Sequence, residues 1–139
     1  MRTPALIPVG IVFPALLSAC QSGASCSDMP FGRAAAVTRI EIRANDGTLP
    51  ARQISDPARI ERILNFAKAR KAGWYSPWYG VPAGPVHVEF WRETRFVADF
   101  SAGKSFFEAQ GCGYFLIRAA SSREVGEYLD LLGTKYEFK

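Results

Sequence analysis

The sequence predicts an α+β fold: an antiparallel sheet of about five to six strands with two helices packed on one of its faces, in the order ββα-βββ(β)-α. Three observations carry that expectation. Residues 37 to 43 alternate apolar and polar side chains, the period of a half-buried strand. Stretches beginning at Asp56 and at Ser121 pair a capping residue with apolar positions at helical spacing. Between those helices, very short connections separate apolar runs, and short connections join antiparallel neighbours.

The elements follow in order. In Val37-Thr38-Arg39-Ile40-Glu41-Ile42-Arg43 the period of two puts Ile40 and Ile42 on one sheet face and Arg39, Glu41 and Arg43 on the other. Asn45-Asp46-Gly47 is a hairpin signal, because these residues tolerate positive φ. A return strand over 49–54 carries Pro50 and so belongs at a sheet edge. Asp56 can cap a helix and Pro57 fits its first position, where no donor is needed. Ile60, Ile63, Leu64 and Ala67 form its apolar face, and Gly73 offers a stop. Strands over 86–92 and 95–101 flank a tight Glu93-Thr94 turn, and strands over 105–109 and 112–118 follow. Ser121 and Glu124 have the spacing of a capping box; Val125, Tyr128, Leu129 and Leu132 make the second stripe, ending at Gly133.

The first residues stand apart from this domain. Arg2 precedes an apolar run from Ala5 to Leu17 that is too short to span a bilayer and is interrupted by Pro8 and Pro14. Leu17-Ser18-Ala19-Cys20 then places a cysteine directly after small residues. This resembles the lipobox of bacterial lipoproteins, over the first twenty residues only. The resemblance implies a signal peptide over 1–19 and a Cys20 that carries diacylglycerol and a further acyl group as the first mature residue. Membrane anchorage follows, at about 0.8 kcal/mol per buried methylene. Gln21, rather than aspartate, after the cysteine points to the periplasmic face of the outer membrane. Residues 20–33 then form a lipidated, Ser/Gly/Ala-rich tether, and 34–139 a single globular domain.

With Cys20 lipidated, Cys26 and Cys112 remain as an even pair. An oxidising compartment favours a disulfide between them; two free thiols are the alternative. Removing Arg2 from the 17 Lys and Arg leaves 16 against 13 acids, a net charge of +3. That excess is dispersed, which speaks against nucleic-acid binding.

Little in the sequence marks catalysis, and no cofactor or metal is expected. The single histidine, His87, alternates with Val86 and Val88, with no ligand or triad set at recognisable spacing. Glu89, Asp99 and Glu108 are expected on a solvated sheet face beside Arg92, Arg95 or Arg118. Gln110-Gly111-Cys112-Gly113 lacks the lysine and the helix of a phosphate loop. The segment from Gly73 to Pro82 is different, with Trp74, Tyr75, Trp78 and Tyr79 set among prolines. Rigid aromatics with polar tips suit binding surfaces, yet the same rings can close an open core edge.

These readings lead to a non-enzymatic lipoprotein that binds an envelope protein or polymer through Trp74, Tyr75, Trp78 and Tyr79, with Arg92 and Arg95 as a polar rim. The alternatives are a small envelope hydrolase using sheet carboxylates and His87, or a structural subunit of an envelope complex.

Overall fold

Alternating residues at the start of the domain form strand β1 (Arg39–Ala44), with Ile40 and Ile42 buried in the core. In this computed structural model the described residues are 37–80, 83–111 and 113–139, with the backbone alone at 114. The expected signal peptide, Cys20, the tether, Cys26 and Cys112 lie outside the described residues. Gly47 turns the chain at φ 70°, with the Thr48 N–H donating to Asp46 Oδ1. Strand β2 (Arg52–Ile54) returns antiparallel to β1, pairing Ile54 with Ile40. It is shorter than expected because it begins only after Pro50, which can donate nothing to a ladder.

Helix α1 (Pro57–Lys68) starts as its caps dictate: the Arg59 N–H donates to Asp56 Oδ1 at 2.7 Å. Ile60, Ile63, Leu64 and Ala67 are buried. The helix ends well before Gly73, where Arg70 Nη1 donates to the Phe66 carbonyl at 2.6 Å and satisfies one of the terminal acceptors. Gly73, at φ 84°, instead turns the chain into strand β3 (Trp74–Tyr75), a two-residue element outside the expected set. Strands β4 (Val86–Arg92), β5 (Arg95–Ala102), β6 (Phe106–Gly111) and β7 (Tyr114–Ala119) follow, then helix α2 (Ser122–Leu131). Ser121 and Glu124 form a complete capping box at its start.

Among the described residues the sheet has seven strands, every pairing antiparallel, in the order β2-β1-β4-β5-β6-β7-β3. The α+β class and the two helices on one face match the expectation. The extra strand arises because the backbone of Trp74 and Tyr75 pairs with Arg118 and Ile117 of β7. Ile40, Ile42, Val88, Phe90, Ala98, Phe100, Phe107 and Ala109 project from the sheet into one core with Ile60, Ile63, Val125, Tyr128 and Leu129 from the helices. The Tyr128 hydroxyl satisfies itself there by donating to the Phe100 carbonyl at 2.8 Å. Glu124 ties the layers together by accepting from Arg118 Nη1 on β7 at 3.1 Å, with Arg70 Nε at 3.4 Å.

This architecture sets up the site. β3 lies at one edge of the sheet whereas β4 is inside it, so the chain between them must travel from edge to interior. The helices occupy one face; Gly84, just before β4, lies on the other.

Candidate functional site

Alternation along β4, β5 and β6 sends His87, Glu89, Asp99, Ser101 and Glu108 to the helix-free face, because their neighbours Val86, Val88, Phe100, Ala102 and Phe107 fill the core. Register brings them together: Glu89 lies opposite Asp99, and Ser101 opposite Glu108. Glu89 behaves as a wet-face carboxylate, 3.1 Å from Arg43 Nη2 and accepting from Trp91 Nε1 at 3.3 Å. Its partner is Arg43, not Arg92, Arg95 or Arg118. Asp99 and Glu108 are a correction to the sequence-based expectation, since they are only 5% and 4% exposed.

The cause of that burial is in part Gly84. Its N–H donates to Glu108 Oε2 at 2.9 Å, and a Cβ at this position would lie 3.0 Å from the Ala102 backbone carbonyl. Any larger residue here would be tight against the backbone of β5, so glycine suits the close approach. Beneath it, Ser101 Oγ donates to Asp99 Oδ1 at 2.6 Å and accepts from the Val88 N–H at 3.2 Å. His87 Nδ1 lies 3.7 Å from Asp99 Oδ2 and 3.5 Å from Ser101 Oγ. At 3.7 Å the contact with Asp99 is an ion-pair approach rather than a hydrogen bond. Asp99 nevertheless raises the His87 pKa above the ordinary imidazole value, against burial. Burial raises the Glu108 pKa, while the bond from Gly84 opposes the rise.

His87, Asp99 and Ser101 are therefore neighbours without being a nucleophilic triad. A triad places serine on one imidazole nitrogen and carboxylate on the other. Here both approach Nδ1, the serine proton is committed to Asp99, and Ser101 is fully buried. Among the described residues no group of three or more His, Cys, Asp and Glu is arranged to hold a metal ion. A groove of about 620 Å³ between α1 and α2, lined by Arg59, Arg62, Glu127 and Asp130 among others, lies on the opposite side of the sheet from this cluster.

The aromatic segment divides in two. Trp74 belongs to the core: its ring meets Phe100 edge-on at 5.9 Å, and its Nε1–H donates to the Arg70 carbonyl at 2.6 Å. Trp78 is 91% exposed, Tyr79 60% and Tyr75 46%. The rings of Trp78 and Tyr79 stand perpendicular with centroids 5.6 Å apart, and the hydroxyls of Tyr75 and Tyr79 approach to 3.3 Å. From Ala72 to Pro85 the chain has no charged residue. Val81 and Pro82 of this segment lie outside the described residues. Arg92 and Arg95 are exposed and face each other at the β4–β5 turn, with β6 and β7 between β5 and β3. The structure thus groups Tyr75, Trp78 and Tyr79, sends Trp74 inward, and places the two arginines at a separate corner.

Sequence reasoning missed the buried set of Asp99, Ser101, Glu108 and Gly84. The available signal was Gly84 between Ala83 and Pro85, a small residue where a close backbone approach is needed. Comparison with protein-family models, curated proteins and solved structures gave no match.

Proposed function

We propose that the chain is a non-enzymatic binding module of the bacterial cell envelope, anchored through acyl chains on Cys20 at the periplasmic face of the outer membrane. It engages an envelope protein or polymer through Trp78, Tyr79 and Tyr75. The single observation that carries the binding reading is a tryptophan at 91% exposure beside two exposed tyrosines on one proline-braced segment. Contiguous exposed aromatics mark interaction surfaces, and braced ones lose little conformational freedom on binding. A charge-free segment suits an electrically neutral contact surface. Anchorage is supported by the order Leu17-Ser18-Ala19-Cys20.

The hydrolase alternative, built on sheet carboxylates and His87, gains the meeting of His87 and Asp99, while the burial of Asp99 and Glu108 speaks against their reaching a substrate. A photo-crosslinking residue at Ser76 in the full-length chain, expressed in cells, tests the binding reading. The expected result is a discrete envelope adduct that Trp78→Ala abolishes. An adduct of unchanged yield in Trp78→Ala contradicts it. Cys20→Ser is expected to move the protein from the membrane fraction to the soluble periplasm.

A further inference from the structure

The deepest feature of the helix-free face is the one the binding reading does not use. Asp99 and Glu108 are buried there together, and among the described residues the nearby cation on that face, Arg43, is already paired with the exposed-side carboxylate Glu89. With His87 neutral, two negative charges share a desolvated site with no buried counter-charge. With His87 protonated, a cation sits 3.7 Å from Asp99 while Glu108 stays ionised and keeps its charge-assisted bond from Gly84. Gly84 is where the aromatic segment's chain is fastened to the sheet, five residues after Tyr79.

We propose that His87, Asp99, Ser101 and Glu108 form a proton-sensitive anchor for Gly84, so that mild acid fastens the chain at Gly84 more firmly and alkaline pH loosens it. This regulation rests on the aromatic segment being the binding surface. Of the groups facing the cluster, Asp99 and Glu108 favour the imidazolium and Arg43 opposes it. From β1 comes Arg43, which disfavours the imidazolium; from β4, Glu89; from β5, Asp99 and Ser101; from β6, Glu108; from β7, the apolar Ile117 opposite Glu108; from β3, Tyr75 opposite Ile117. The two titrating members act on the anchor in opposite senses: protonated His87 supports it, whereas the bond from Gly84 favours ionised Glu108, so the fastening needs acid mild enough to leave Glu108 charged. The stabilisation from His87 is complete below the ordinary imidazole value and is lost as pH rises through the raised one.

The test is amide hydrogen exchange at Gly84 in the full-length chain in detergent micelles, followed by NMR from mildly acidic to mildly alkaline pH. Exchange is corrected for intrinsic rate and referenced to the Ile63 amide in α1. The expected result is a several-fold gain in Gly84 protection toward mild acid. His87→Gln is expected to flatten that profile. Glu108→Gln keeps an acceptor oxygen for Gly84 while removing the charge, and is expected to flatten it as well. Constant protection in the parent chain, or an unchanged profile in either folded variant, overturns the anchor. A flat profile with Trp78-dependent crosslinking intact removes the regulation and leaves the binding reading. Lost Trp78 dependence with a sloping profile does the reverse.

Discussion

Gly84 and Tyr128 show how single atoms hold this molecule. Gly84→Ala would force a Cβ to within 3.0 Å of the Ala102 backbone, and backbone cannot swing aside as a side chain can. The expected cost is about 1–3 kcal/mol, the usual range for overpacking, read as a lower urea midpoint with unchanged slope. Tyr128→Phe deletes the hydroxyl that donates to the Phe100 carbonyl in the core. The expected loss is about 1 kcal/mol, typical of one buried hydrogen bond, checked by the same unfolding curve. His87 was legible as facing away from Val86 and Val88, since alternation is a local property. Its buried neighbours were not, because Asp99, Ser101 and Glu108 come from other strands and Gly84 covers them only through tertiary contact.

At the scale of elements, both helices were readable from a dozen residues each, since capping and helical stripes are encoded within a few positions. Ser121→Ala removes the acceptor of the Glu124 N–H and half of the capping box. A loss of about 1 kcal/mol is expected from the known cost of cap removal, measurable as a lower thermal midpoint. β3 was not readable: two residues carry no period, and the pairing that makes them a strand lies on β7. The Glu93-Thr94 turn was placed correctly, but its strain was hidden. Glu93 adopts φ 54° and is held there by its N–H donating to Thr38 Oγ1 at 2.8 Å and its carbonyl accepting from Arg39. Glu93→Gly removes the Cβ penalty at this position and is expected to stabilise the domain by about 1 kcal/mol, seen as a higher thermal midpoint.

For the molecule as a whole, four of the described groups with shifted pKa values bear on stability between mild acid and neutrality. His87 and Glu108 have raised pKa values, so their contribution is present below the unfolded values and lost as pH rises through the folded ones. Glu124 is lowered chiefly by the Ser121 N–H and Asp46 chiefly by Thr48, so theirs is present above the unfolded values and lost as pH falls through the folded ones. Stability is therefore expected to peak in mild acid, between the ordinary carboxylate range near about 4.3 and the ordinary imidazole value near about 6.5. Unfolding midpoints across pH would show the fall above the ordinary imidazole value disappear in His87→Gln. The antiparallel α+β plan was legible at this scale because it follows from element order and short connections. The division of the aromatic segment was not, since Trp74, Tyr75, Trp78 and Tyr79 read alike until the sheet edge assigns them different sides. Everything proposed about binding depends on Trp78 being displayed. The most direct measurement is acrylamide quenching and emission of Trp78 as the sole tryptophan in the full-length chain, with Trp74→Phe and Trp91→Phe in place. Red-shifted emission that quenches as readily as free indole is the predicted result; blue-shifted, protected emission would contradict the account.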